Sequence, residues 1–287
     1  MYRHFRSPTK FLRELSWDDA AKVIAGIART FRYFAELEKH PVFKWAKSEL
    51  IELPATELAQ HYGIPTALID LTESIEVALF FATHRREGCE WKPCENGRGV
   101  LYRVDRDAIP SCYAPRFQQV AIQPFPRPFR QWAWTCELLM GECFEQYPKL
   151  QALEFEHDLV LAAEIRKMAE CEGVLFPQDA LATLAERIND SHVLESANVV
   201  SAMKHLGPAY PRDRFGPMRR FLANEGYLVQ RQSAPILAGE ELSTLELKYE
   251  IELPEWHRTV ARGLQQIVVR GGSNTGLPLE FAPLLRN

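Results

Sequence analysis

The chain has 287 residues, of which 34 are Lys or Arg, 38 are Asp or Glu and 46% are hydrophobic, and this composition indicates a globular protein with a self-supporting core. Its 19 Pro and 15 Gly are ordinary numbers, which excludes collagen-like and largely disordered chains. The net charge of −4 excludes a globally basic nucleic-acid-binding protein but leaves a local basic patch open. No apolar run approaches the roughly 20 residues of a membrane span, so we expect no membrane partner.

The N-terminal residues and the cysteines predict a cytoplasmic protein without a metal. The first ten residues, MYRHFRSPTK, contain no apolar stretch that could serve as a signal peptide. In a chain of this size without an export signal, we expect the 6 cysteines to stay reduced. Cys89 and Cys94 lack a second pair at zinc-binding spacing, so no structural metal is expected.

Helical and extended segments alternate in the first hundred residues. Ser16 is a typical N-cap, and the apolar residues from Val23 to Phe34 recur at helical spacing. A second helix is predicted from Pro54 to a stop at Gly63. The next predicted elements are an extended segment at residues 64–72, a buried helix from Val77 to Ala82 capped by Thr72 or Ser74, and a strand from Gly99 to Asp105.

The rest of the chain contains further helical and strand patterns, and its character changes near Ser191. The predicted elements are loop with strand fragments from Pro110 to Pro128, helices at Phe155–Cys171 and Gln178–Ile188, a helical stretch at Val193–His205, a helix end plus strand at Phe221–Gln230, a strand at Leu245–Leu253 and a last helix at residues 259–269. Because no regular βαβ rhythm is present, these elements predict an α+β fold with mixed small sheets and flanking helices.

The densest group of chemically able residues runs from Gln60 to Thr72. A helix ends at Gly63 and the chain turns, after which an acid and hydroxyls stand in an otherwise apolar run. Asp70 must find a partner if it is buried. The alternative is structural, with Asp70 capping the next helix or receiving backbone N–H bonds and His61 being a satisfied core histidine.

Two other groups carry possible functional residues. Residues 2–6, YRHFR, are a basic arm or an uninformative chain end. Residues 127–134, RPFRQWAW, interleave arginines with aromatics, a pattern that can stack on and neutralise single-stranded nucleic acid but is also common at interfaces and in half-buried strands.

Together these groups resemble the FRG domain family. The match is longest in QHYGIPTALIDLTESIEVALFFATHR, at residues 60–85, and extends to Tyr2-Arg3-His4, the RPFRQWAW segment and VLFPQDALATL at residues 174–184. The resemblance covers residues 1–190, predicted as an FRG-like domain. Residues 191–287 are then a C-terminal α/β extension of helix, strands and helix.

The family's layout is similar to that of ADP-ribosyltransferases, and the resemblance therefore implies such a core with NAD as substrate. Arg3 would contact a phosphate, His61 or His4 a ribose hydroxyl, and Tyr62 would stack on the nicotinamide. The implied catalytic residues are Arg3, His61, Asp70 and Gln131, and the implied cofactor contacts are Tyr2, Arg3, His4, Tyr62, Thr66 and Thr72.

The resemblance further implies a toxin or phage-defence effector. The leading hypothesis is an NAD-dependent ADP-ribosyltransferase that modifies nucleic acid or protein, with an antitoxin or chaperone as a partner of the C-terminal extension. One alternative is a metal-independent, ribonuclease-like toxin that uses His61 and Asp70 for acid–base catalysis. The other is a non-enzymatic module that binds a partner.

Overall fold

The computed structural model describes residues 16–49, 53–66, 68–87, 90–105, 108–120, 125–138, 143–147, 149–170, 175–206 and 214–252. The helices are α1 Trp17–Leu37, α2 Pro41–Ser48, α3 Ala55–His61, α4 Ile75–Thr83, α5 Pro126–Arg130, α6 Leu159–Glu170, α7 Ala180–Asp190, α8 Ser196–His205, α9 Phe215–Asn224 and α10 at residues 239–252. The strands are β1 Leu68–Thr72, β2 His84–Glu87, β3 Glu90–Pro93, β4 Arg98–Val104, β5 Phe117–Gln119, β6 Ala133–Glu137, β7 Leu150–Glu156, β8 Val193–Glu195 and β9 Leu228–Gln230.

The strands form several small sheets. Strands β1, β6 and β5 make a three-stranded antiparallel sheet with β6 in the centre. Strands β2 and β3 form a hairpin, β4 and β7 form an antiparallel ribbon, and β8 and β9 pair in parallel. Helices flank these sheets, so the predicted α+β class is confirmed. No helix in the described ranges is long and apolar enough to cross a membrane.

Helix α1 packs against elements from both the earlier and the later part of the described chain. Ser16 caps it by accepting a hydrogen bond from the Asp19 amide, as the sequence predicts. The N-terminal half of α1 is buried at Ile24 against α8, α9 and β8, and its C-terminal half is buried at Tyr33 against α3 and α7. Helix α1 therefore contacts elements on both sides of the predicted boundary at residue 190, which itself stays a prediction.

A fully buried carboxylate ties the C-terminal part of the chain to α1. Glu36 forms ion pairs with Arg32 and Lys39 at 3.0 and 2.9 Å, and its carboxylate accepts a hydrogen bond of 3.0 Å from the Leu237 amide. Arg32 also pairs with Glu195. Because a buried charge must be compensated on every side, this network fixes where the segment before α10 crosses α1.

Three predicted elements differ from the structure. The strand predicted at Leu245–Leu253 is wrong, because residues 239–252 form α10. The alternating apolar residues lie on two opposite faces of this helix. Leu245 and Tyr249, one turn apart, pack on the core, whereas Leu247 and Ile251 are exposed.

The other two differences concern helix beginnings. The helices predicted from Phe155 and from Val193 begin later, because β7 ends at Glu156 and β8 occupies Val193–Glu195. Helix α2 has no counterpart among the predicted elements. The last helix predicted at residues 259–269 lies outside the described residues.

The Glu36 network predicts a large stability effect at one position. Glu36→Ala should lower the free energy of unfolding by about 3 kcal/mol, because it removes the anion that pairs with Arg32 and Lys39 and leaves the buried Leu237 N–H without its acceptor. Urea denaturation followed by circular dichroism measures the change. The exposed neighbour serves as a control, since Glu38→Ala should change stability by less than about 0.5 kcal/mol. Equal losses in the two variants would contradict this role for Glu36.

Candidate functional site

Two clefts meet at a small group of polar residues. The first cleft, of about 950 Å³, lies between β1, α4 and the β4–β7 ribbon. The second cleft, of about 1270 Å³, lies between the end of α3, the β2–β3 hairpin, α5 and α7. His61, Asp70, Phe81 and Gln131 line both clefts. The sequence-predicted residues His61, Asp70 and Gln131 are thus brought together at one junction.

The end of α3 places His61 at this junction. Gly63 adopts φ +81°, and the amides of Gly63 and Ile64 bond to the carbonyls of Gln60 and Ala59 at 2.9 Å each, which is a Schellman ending. The predicted helix stop at Gly63 is confirmed. Because the chain turns away at Gly63, His61 remains the last helical residue and its side chain is buried under the sheet.

Gln131 determines which nitrogen of His61 faces the site. His61 Nδ1 lies 3.0 Å from Gln131 Oε1, and Gln131 Nε2 donates to the Leu175 carbonyl at 2.9 Å. Only the amide nitrogen can donate to a carbonyl, so Gln131 presents its oxygen to His61 and the hydrogen of a neutral imidazole is on Nδ1. His61 Nε2 is then the free nitrogen, and it has no hydrogen-bond partner among the described residues.

The turn between α5 and β6 orients Gln131 inward. Gln131 follows α5 and is 4% exposed, whereas Trp132 adopts φ +48° and is 54% exposed. A left-handed conformation is uncommon for a bulky residue, and here it points Trp132 outward while Gln131 points to His61. The Thr72 hydroxyl donates to the Gln131 carbonyl at 2.7 Å and accepts from the Ser74 amide, which fastens this turn to the end of β1.

Asp70 lies beside the free nitrogen of His61. Its Oδ1 is 3.8 Å from His61 Nε2, and its Oδ2 accepts from the Gln60 amide at 3.2 Å. The Thr66 hydroxyl donates to Gln60 Oε1 and so orients that amide toward Asp70. Burial raises the pKa of the Asp70 carboxyl above its usual value, and His61 and the Gln60 hydrogen bond lower it in part. About 45% of the side chain still faces the cleft.

The structure corrects the structural alternative for these residues. Asp70 does not cap α4, because Ser74 accepts the hydrogen bond from the Val77 amide. The interpretation of His61 as a fully satisfied core histidine is also wrong, because only one of its nitrogens has a hydrogen-bond partner among the described residues. His61 Nε2 is therefore a buried polar atom that no described residue satisfies, next to a partly exposed carboxylate.

Other predicted site residues have different positions. Tyr62 is 3% exposed, with its hydroxyl donated to Asp179 and its ring under the Arg127 guanidinium, so its ring is already covered. Burial raises the pKa of Tyr62 well above its usual value. Thr72 lines the first cleft, and the hydroxyls of Thr66 and Thr72 both bond to protein groups. Tyr2, Arg3 and His4 lie outside the described residues.

Gln60 and Arg127 are site residues that the sequence analysis named only as members of larger groups, without an individual role. Gln60 lies in the QHYG stretch, but the orientation of its side chain depends on the turn that brings the Thr66 hydroxyl next to it. Arg127 belongs to the arginine and tryptophan segment, which the structure divides: Arg127 is buried, whereas Phe129 and Trp132 are each 54% exposed. Within the described chain, no cluster of three or more His, Cys, Asp or Glu side chains is placed to hold a metal.

Comparison with known proteins finds a family model that matches the first part of the chain. The family model of the FRG domain matches residues 16–89, a stretch that contains α1 to α4, His61 and Asp70. The resemblance inferred from the sequence is therefore confirmed for residues 16–89. No curated protein and no solved structure matches the chain.

The raised pKa of Asp70 predicts that its charge opposes folding. An acid whose pKa is higher in the folded chain loses stability as the pH rises, while no loss is present below the unfolded pKa of about 3.9. Asp70→Asn keeps an acceptor for Gln60 and adds a donor for His61 Nε2. The variant should be as stable as the parent at pH 7, or more stable by up to about 1 kcal/mol, because the exposed half of the side chain limits the effect.

Chemical denaturation at a series of pH values measures this difference, which should shrink as the pH falls toward 4. Asp18→Asn, an exposed acid in the first turn of α1, is the matched control. If Asp70→Asn loses more than about 2 kcal/mol at pH 7, the carboxylate is a structural group and the account of the site fails.

Proposed function

We propose that this protein is an NAD-dependent ADP-ribosyltransferase-like toxin or defence effector that acts in the cytoplasm on a nucleic-acid or protein acceptor. The observation that carries the proposal is the pair formed by the Asp70 carboxylate and His61 Nε2, which no described residue hydrogen-bonds, at the junction of two clefts. A transferase must bind a donor and an acceptor around one reacting carbon, and two clefts with a shared set of polar residues suit that requirement.

The chemistry assigns a separate task to each group. The bond between ribose C1′ and nicotinamide nitrogen breaks, and its electron pair leaves with the nicotinamide, which becomes neutral. Positive charge then develops on the ribose, and Asp70 stabilises it electrostatically. The acceptor hydroxyl or amine bonds to C1′ and gives its proton to His61 Nε2. Gln131 is neutral and buried, so it positions His61 and does not stabilise the cation.

A ribonuclease-like activity is the second candidate, and the raised pKa of Asp70 favours it. Burial raises the pKa of the Asp70 carboxyl, which favours its protonated, proton-donating form relative to a free acid, and His61 Nε2 could accept the proton of a ribose hydroxyl. The same pair would then serve as acid and base in cleavage of a phosphodiester. This reaction needs no NAD, which separates it from the first proposal.

The described part of the C-terminal extension packs on the helix that also supports α3. Strand β8 and helices α8 and α9 pack on α1, so a protein bound to the extension would press on the same helix that supports α3. We propose an antitoxin or chaperone as that partner.

Transfer of label from NAD tests the proposed function. The full chain is incubated with adenylate-labelled NAD and a cell lysate, and label is counted in the protein and nucleic-acid fractions. Asp70→Asn should lower transfer by about 100-fold or more, because it removes the charge that stabilises the transition state. His61→Asn should lower it as well, whereas Asp18→Asn should leave it unchanged.

Circular dichroism of each variant separates lost chemistry from lost folding. Absence of NAD consumption by the folded parent chain would contradict the proposal. Cleavage of RNA without NAD, lost in the same variants, would establish the second candidate. A cellular effect that survives both His61→Asn and Asp70→Asn would instead indicate a binding module.

A further inference from the structure

The second cleft contains a buried cation, Arg127, that forms no ion pair with any residue in the described ranges. Arg127 is 8% exposed and lines the cleft, yet its side chain makes no hydrogen bond or ion pair within the part of the chain that the structure describes. Asp179 is committed to the Tyr62 hydroxyl and to the Ala182 amide. An uncompensated guanidinium in such a place is costly, and an anion that enters the cleft would remove the cost.

Aromatic rings hold the Arg127 guanidinium in place. Its carbon lies 4.8 Å from the ring centre of Tyr62 and 5.7 Å from that of Phe176. Stacking on ring faces leaves the edge of a guanidinium free to donate hydrogen bonds. The residue before Phe176 is Leu175, whose carbonyl holds Gln131, so the same short segment positions Arg127 and, through Gln131, His61.

Helix α5 brings this cation close to the reacting pair. The backbone N–H of Gln131 donates to the backbone carbonyl of Arg127 at 3.1 Å, so the two residues are one helical turn apart. Gln131 contacts His61, and Arg127 contacts the neighbouring Tyr62. An anion bound to Arg127 would therefore lie in the cleft that also contains His61 and Asp70.

The walls of the second cleft differ in charge. Arg86 and Lys92 on the β2–β3 hairpin and Arg166 on α6 line the cleft with Arg127, although Lys92 pairs with Glu87 and Glu90 also lines the cleft. Helix α7 contributes Glu186 and Asp190, which lie one turn apart. Phosphates favour the arginines, whereas carboxylates accept hydrogen bonds from the hydroxyls of a ribose. A long polyanion would meet repulsion from the α7 wall, so the cleft favours a nucleotide over a nucleic-acid backbone.

We propose that the second cleft binds the diphosphate of a nucleotide, with Arg127 as the buried, bidentate phosphate ligand and Arg86 and Arg166 as flanking cations. The assignment rests on the proposed function in naming the nucleotide, which would be NAD. The first cleft would then receive the acceptor. Arg127 would act on binding of the donor, so its loss should raise the KM for NAD more than it lowers kcat.

Calorimetric titration of the full chain tests this site with inorganic pyrophosphate, ADP-ribose and a short single-stranded RNA as probes. Arg127→Gln should weaken the binding of pyrophosphate and ADP-ribose by about tenfold or more, since it removes charged hydrogen bonds. Arg127→Lys should weaken it less, because the charge remains without the bidentate geometry. Arg130→Gln, an exposed arginine in the same helix, should change it less than twofold.

Denaturation curves must show that the Arg127 variants fold, and Arg127→Lys provides the second test if Arg127→Gln does not. Unchanged pyrophosphate and ADP-ribose binding in a folded Arg127 variant would overturn the assignment. An effect of Arg127 on RNA binding alone would overturn it too. Binding that depends on Arg127 without any NAD consumption would refute the proposed function and leave the diphosphate site standing. NAD consumption with an unchanged KM in Arg127→Gln would overturn the diphosphate site and leave the proposed function standing.

Discussion

The candidate site depends on one buried hydrogen-bonded chain, in which the Leu175 carbonyl orients Gln131 and Gln131 orients His61. It joins the end of α3, the turn after α5 and the segment before α7. An amide in a buried position can satisfy both neighbours only in one orientation, and that orientation leaves His61 Nε2 facing Asp70. This chain of bonds therefore defines which nitrogen of His61 faces the junction of the two clefts.

The other polar residues around the site position Asp70 and His61 through hydrogen bonds. Thr66 orients Gln60, and Thr72 holds the carbonyl of Gln131. The supported groups are Asp70, whose pKa is raised by burial, and His61, which has a free nitrogen. Arg127 adds a buried cation with no described partner. Natural proteins accumulate such unfavourable groups where function requires them, and here they occupy one continuous region.

Local chemistry in the sequence predicted several features of the fold and the site. The cap at Ser16, the stop at Gly63 and the α+β class follow from residue types and spacing, and the group from Gln60 to Thr72 marked His61 and Asp70. The strand predicted from period-two spacing is wrong in α10, because two apolar residues four positions apart lie on one face of a helix as well as on one side of a strand. The bond between His61 and Gln131 spans 70 positions and depends on tertiary packing, which no local pattern encodes.

The most direct test of the account is the tautomer of His61, measured by nitrogen-15 NMR of the imidazole in the folded chain. The account predicts that the neutral ring carries its hydrogen on Nδ1, with an unprotonated Nε2, and that Gln131→Leu removes this preference. A neutral ring with its hydrogen on Nε2, or the same tautomer in the folded Gln131→Leu variant, would show that the buried glutamine does not control the site.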